Sequence, residues 1–181
     1  MSRSNPNERM QHPCNHWFEW DGSKGNVRFY DRETKENVEV EDGFTFILLD
    51  QLATIRGWND ASDSAIYANE VKDTTSEPFV VKAFKGGRLA EGLYSAIKDR
   101  VKACGGKFVS NCYLAYWSDS GELELGCIRF KGSGLNAWAE FCKASRALLY
   151  AKAIKTKGSN EGKKGQITFR SPIFHTFDIS E

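Results

Sequence analysis

The sequence predicts a mainly β domain with two helices, and three observations predict it. Short runs rich in aromatic and β-branched residues recur along the chain, among them HWFEW, NVRFYD and PFVVKAFK. Turn chemistry such as Asp21-Gly22 and Ser118-Asp119-Ser120-Gly121 separates these runs, as hairpin-linked strands require. Only two stretches carry apolar residues at helical spacing. The chain has 181 residues, 40% hydrophobic and 27% charged, the balance of one globular domain with a core of its own.

The polar stretch 1–14, with Pro6 and Pro13 and no period, reads as a flexible arm ahead of a single domain over 15–177, and 178–181 as a short acidic end. HWFEW, NVRFYD and NVEVE form a meander. FTFILLDQLATI, Phe44 to Ile55, is nearly continuous in apolar residues and reads as a central strand buried on both faces. A polar loop, Gly57-Trp58-Asn59-Asp60, is expected after it, then strands at AIYANEV and PFVVKAFK. Leu89, Leu93, Ile97 and Val101 recur every four residues with Gly105-Gly106 just beyond, which predicts a helix over Arg88 to Cys104.

KFVSNCYLAYW and ELELGCIRFKG read as a hairpin about Ser118–Gly121. Ser133 is placed to cap a second helix, GLNAWAEFCKA, whose Leu135, Trp138, Phe141 and Cys142 share one face. Two more strands, LLYAKAIKTK and QITFRSPIFHTFD, flank a polar loop, GSNEGKKG. Many short strands of this kind avoid exposed edges best by closing. The expected architecture is therefore a small antiparallel barrel of the oligonucleotide-binding (OB) type, with a two-layer α+β sandwich as the alternative.

No apolar run approaches the ~20 residues that span a bilayer, and the start MSRSNPNERMQHPCN lacks a secretory signal's apolar stretch. A cytoplasmic location without membrane contact is expected. Five cysteines with no CxxC pair suit reduced thiols better than a disulfide framework. Catalysis finds no anchor. His12, Cys14 and His16 lack a fourth metal ligand nearby, the glycine pairs have neither Walker nor dinucleotide spacing, and Asp60 and Asp63 have no second acidic cluster. A non-enzymatic protein without cofactor or metal is expected.

Binding leaves a clearer trace. The net charge of +1 divides into −7 over residues 1–80 and +8 over residues 81–181, the footprint of a polyanion surface. In the basic part cations and rings interleave, as in Phe84-Lys85-Gly86-Gly87-Arg88 and Arg129-Phe130-Lys131. Single-stranded nucleic acid is held by that pairing, since bases stack on rings and phosphates need cations. Most phenylalanines are expected in the core. Trp58, Tyr67, Tyr113 and Trp117 lie in or beside polar positions and are the stacking candidates. Strand parity turns Phe130 inward and Arg129 and Lys131 outward, and likewise selects Lys155, Lys157 and Arg170. Lys82, Lys85, Arg88, Lys163 and Lys164 complete the expected groove.

The segments HPCNHWFEWDG, VRFYDRETKENVEVEDGFTFILLDQLATIRGWNDASDSAIYANEV and GELELGCIRFKGSGLNAWAEF give the chain a resemblance to phage replication-module single-stranded-DNA-binding proteins, which are similar to OB-fold binders. The resemblance implies sequence-independent coating of single-stranded DNA in phage replication or recombination, inside the host bacterial cytoplasm. Replication or recombination proteins and further copies of the chain are the partners it implies. Such proteins often end in a long acidic tail, whereas here only Asp178, Ile179, Ser180 and Glu181 stand. Either the tail is truncated or tail-mediated recruitment is weak. The alternative function is a phage interaction protein that inhibits a host defence factor.

Overall fold

The structure, a computed structural model, describes residues 13–178. Residues 1–12 of the expected arm and residues 179–181 of the acidic end lie outside the described residues. The first strands are β1 (His16–Asp21), β2 (Asn26–Tyr30), β3 (Asn37–Glu39), β4 (Thr45–Asn59), β5 (Ser64–Ala68), β6 (Phe79–Ala83) and β7 (Gly87–Gly92). Then come α1 (Tyr94–Ala103), β8 (Gly106–Trp117), β9 (Leu123–Phe130), α2 (Gly132–Ala144), β10 (Ala153–Lys164) and β11 (Ile167–Phe177). The chain is thus mainly β with two helices, as its patterning predicts.

The strands form one mixed sheet in the order β3-β2-β1-β9-β8-β4-β5-β6-β7, with β10 on β4 and β11 on β10. The β1–β9 pair is parallel. The expected closed barrel is not formed: β3 and β7 end the path without pairing to each other. β11 comes near β1 through one backbone bond, from the Arg170 N–H to the Gly22 carbonyl at 2.7 Å, but no ladder follows. The reason is α2. The Phe174 ring of β11 lies 5.2 Å from the rings of both Trp138 and Phe141, so the β10–β11 hairpin docks on the helix instead of zipping along β1.

The long antiparallel pair β4–β8 is the spine. Phe46 and Leu48 of β4 enter one buried cluster with Phe18, Trp20, Leu114, Ile128, Phe130 and Trp138. An irregularity at Leu49 resets the alternation, so Ala53 and Ile55 reach a second cluster with Ile66, Phe79, Val81, Ile97 and Val101. On β8, Phe108 packs on the second cluster while Cys112, Leu114 and Tyr116 belong to the first, which puts both on one side of the spine. α2 and α1 cover that side; among the described residues no helix covers the other. Phe130 and Trp138, 0% and 1% exposed, are core as expected.

Several boundaries depart from the sequence reading. Arg88 to Gly92 is strand, because β7 pairs with β6, and Gly92, at φ 139°, ends it before α1 begins at Tyr94. β4 runs through the expected loop to Asn59, so Trp58 stands on a strand opposite Ala65. The segment expected as the loop GSNEGKKG lies mostly within β10, stabilised by its register with β11 despite low strand propensity. Leu148 to Ala151 are turn, outside the strand expected there. Ser133 caps nothing: the N-cap is Lys131, and the Ser133 hydroxyl donates to the Arg170 carbonyl at 3.0 Å.

Candidate functional site

The helix-free side of the sheet collects cations by register. In the β4–β8 pair Arg56 stands opposite Lys107. In β5–β6 Tyr67 faces Lys82, and in β6–β7 Lys82 faces Arg88. Gly57 pairs with Ile66, so Arg56 and Tyr67, one residue further along, adjoin each other across β4 and β5. Ile55, Ile66 and Val81 point into the second core cluster, so by alternation Arg56, Tyr67 and Lys82 point the opposite way. The result is a row across five strands: Lys107, Arg56, Tyr67, Lys82 and Arg88.

Three exposed rings lie in or beside it. Trp58 is 52% exposed on the same side as Arg56, Tyr67 is 39% exposed, and Phe84, two residues beyond Lys82 and next to Lys85 in the β6–β7 turn, is 78% exposed. Arg88 pairs with Glu91 three residues on. Among the described residues no ion pair engages Arg56, Lys82 or Lys107. Two glycines hold the end of this face in place. A Cβ at Gly57 would lie 2.2 Å from the Gly105 carbonyl oxygen, and one at Gly105 would lie 2.1 Å from that of Trp58. Only paired glycines let the α1–β8 turn, with Gly105 at φ 91°, press this closely on β4.

Beside the row, towards β9, lies a second group on the same side. The Arg129 guanidinium sits 4.1 Å from the centre of the Trp17 ring, and burial, with the Arg56 charge added, lowers its pKa. Asn111 stands opposite Arg129 in the β8–β9 pair and is fully buried. The Asn111 Nδ2 and the Tyr113 hydroxyl both donate to the Glu70 carboxylate, the latter at 2.8 Å. Burial, and then the bond to Glu70, raise the Tyr113 hydroxyl's pKa. Burial pushes the nearby Cys127 thiol up to about 12, which keeps it protonated and a poor nucleophile.

The sequence-derived residues do not converge on one groove. Trp58, Tyr67, Lys82, Lys85 and Arg88 come together, with Arg129 and Tyr113 beside them. Lys131 is drawn off to Glu19 at 3.1 Å. Lys155 stands opposite Thr45 and His175, and Lys157 occupies the β10 irregularity between Thr156 and Ser159. Lys163 and Lys164 lie on the far arm of the β10–β11 hairpin. Arg170 donates to the Ser23 carbonyl at 3.0 Å and pairs with Glu161. Trp117, 42% exposed, stands opposite Leu123 in an apolar end of the same face that includes Leu125 and Leu49.

Sequence reasoning missed Arg56, and it left Lys107 and Phe84 out of the expected groove although both stand in interleaved ring–cation runs, Phe84-Lys85 and Lys107-Phe108. Arg56 follows Ile55 at the end of an apolar run, and its parity with Trp58 was the available signal. Phe84 was passed over as a stacking ring because most phenylalanines were expected in the core. Among the described residues no helix is long and apolar enough to cross a membrane, and no cluster of three His, Cys, Asp or Glu is arranged to hold a metal ion. No family, curated protein or solved structure matches the chain.

Proposed function

We propose that the helix-free side of the sheet binds single-stranded DNA without reading its sequence. The observation that carries this reading is the cross-strand row of Lys107, Arg56, Lys82 and Arg88 with Tyr67 in its middle and Trp58 and Phe84 at its border. Neighbouring strands are about 4.8 Å apart, so the row presents its cations at short, regular intervals across the sheet. A strand laid across β8, β4, β5, β6 and β7 meets four cations, two on each side of the Tyr67 ring, with Trp58 and Phe84 beside them for its bases.

The reading needs no closed barrel, and the phage replication-module family stays within the proposal as its sequence-based part. So do the bacterial cytoplasm and the replication or recombination partners. The exposed apolar end formed by Trp117, Leu123, Leu125 and Leu49 favours a second reading, contact with a protein partner or another copy of the chain. Inhibition of a host defence factor belongs to that reading.

Fluorescence anisotropy with labelled oligo-dT and a matched duplex tests the proposal. Wild-type protein is expected to prefer the single strand, and the triple variant Arg56→Thr, Lys82→Thr, Lys107→Thr to lose most of that affinity while keeping its fold. Equal affinity of the triple variant and the wild type would remove the row from the site.

A further inference from the structure

We infer that Asn111 Nδ2 and the Tyr113 hydroxyl form a phosphate seat on the helix-free side, which the Glu70 carboxylate fills in the free protein; this rests on the proposed single-stranded-DNA reading. Two neutral donors on alternate positions of β8 converge on one carboxylate. A carboxylate and a phosphodiester make the same demand: anionic oxygens accepting short, charge-assisted bonds. The donors are set in place before any ligand arrives. Asn111 is fully buried, and only its Nδ2 can serve an anion, so the anion fixes its amide orientation. Glu70 itself is exposed, on the segment after β5. Val71 anchors that segment by exchanging backbone bonds with Ala53 at 2.8 and 2.9 Å, so the Glu70 side chain can swing out while the main chain stays.

A third donor strengthens the case. The Nε of Arg129, buried opposite Asn111, has no hydrogen-bond partner among the described residues. A buried donor in that state carries an uncompensated desolvation cost. A phosphate offers more oxygens than a carboxylate and supplies that donor with an acceptor. The seat lies on the same side as the cation row, with Asn111 four residues beyond Lys107 along β8, and the Arg56 charge acts on Arg129. A single strand whose backbone follows the row brings a phosphate to the seat and displaces Glu70.

The test compares oligo-dT affinities of the wild type, Glu70→Ala, Tyr113→Phe and the double variant, with Asp60→Asn as a control that removes one exposed acid near Trp58. Glu70→Ala is expected to tighten binding about tenfold, the scale of one charge-assisted bond no longer competed for. Asp60→Asn, a charge effect alone, should gain less than roughly threefold. Tyr113→Phe should cancel most of the gain in the Glu70→Ala background. A Glu70→Ala gain no larger than that of Asp60→Asn, or one that survives Tyr113→Phe, overturns the seat while leaving the DNA reading intact. If none of these proteins binds oligo-dT, the DNA reading fails. The seat then stands or falls on the Asn111 side-chain amide signals of Glu70→Ala titrated with inorganic phosphate: movement supports it, and none overturns it.

Discussion

Arg56 and Lys107 stand directly opposite each other in the β4–β8 pair, two positive side chains on the same open face with no ion pair to either among the described residues. Like charges facing across strands repel, at a cost of roughly 0.2–1 kcal/mol. A site that binds a polyanion accepts such a cost, since the ligand neutralises it. Arg56→Thr or Lys107→Thr is therefore expected to raise stability to urea by up to about 1 kcal/mol while weakening oligo-dT binding. A variant that loses stability would place that side chain in a structural role.

Trp58 and Trp138 should respond in opposite ways. Trp58 is half exposed, so Trp58→Ala should cost roughly 1–3 kcal/mol of DNA affinity and little stability, and should remove much of the tryptophan quenching on adding oligo-dT. Trp138 is 1% exposed, stacks on Phe130 at 5.0 Å and donates its Nε1–H to Gln51 at 2.7 Å. Its replacement by Ala should cost about 3–5 kcal/mol of stability, and a surviving fold should bind DNA normally.

Much of this was legible locally. Strand–turn alternation announced a β domain, and the apolar face of GLNAWAEFCKA announced α2 and its buried Trp138. Local parity also turned Phe130 inward. What escaped was set by distant partners. Leu89 fits the four-residue spacing of α1, yet pairing of β7 with β6 outweighs it and extends the strand to Gly92. The polar GSNEGKK segment is strand only because β11 lies beside it. Whether strands close into a barrel depends on where α2 sits, which no window of sequence reveals. Arg56 and Lys107, 51 positions apart in sequence, meet only through the β4–β8 register.

Acid should loosen the β1–β2 end first. Arg28 bonds Glu19 at 2.7 and 2.9 Å and Asp21 at 2.8 Å. Burial pushes the Asp21 carboxyl up, but bonds from Ser23 and Lys24 and the Arg28 charge outweigh it and hold the pKa below its ordinary value. Glu19 is likewise held low, burial being outweighed by its bonds with Arg28 and Lys131. A depressed carboxylate pKa stabilises the fold above the ordinary range near about 4, and this contribution is lost as pH falls through the folded values. Melting temperature should therefore drop steeply below about pH 4, and Arg28→Met should flatten that slope. An unchanged slope would show that other carboxylates control acid unfolding.

The salt dependence of single-strand binding tests the central claim most directly. Each phosphate contact made by a cation releases condensed counterion and contributes about −0.7 to the slope of log affinity against log salt on single strands. Four contacts, from Lys107, Arg56, Lys82 and Arg88, predict a slope of about −3, reduced by about 0.7 when any one of them is replaced by Thr. A flat salt dependence, or a slope that the four replacements leave unchanged, would contradict the account and take the nucleic-acid site off this face of the sheet.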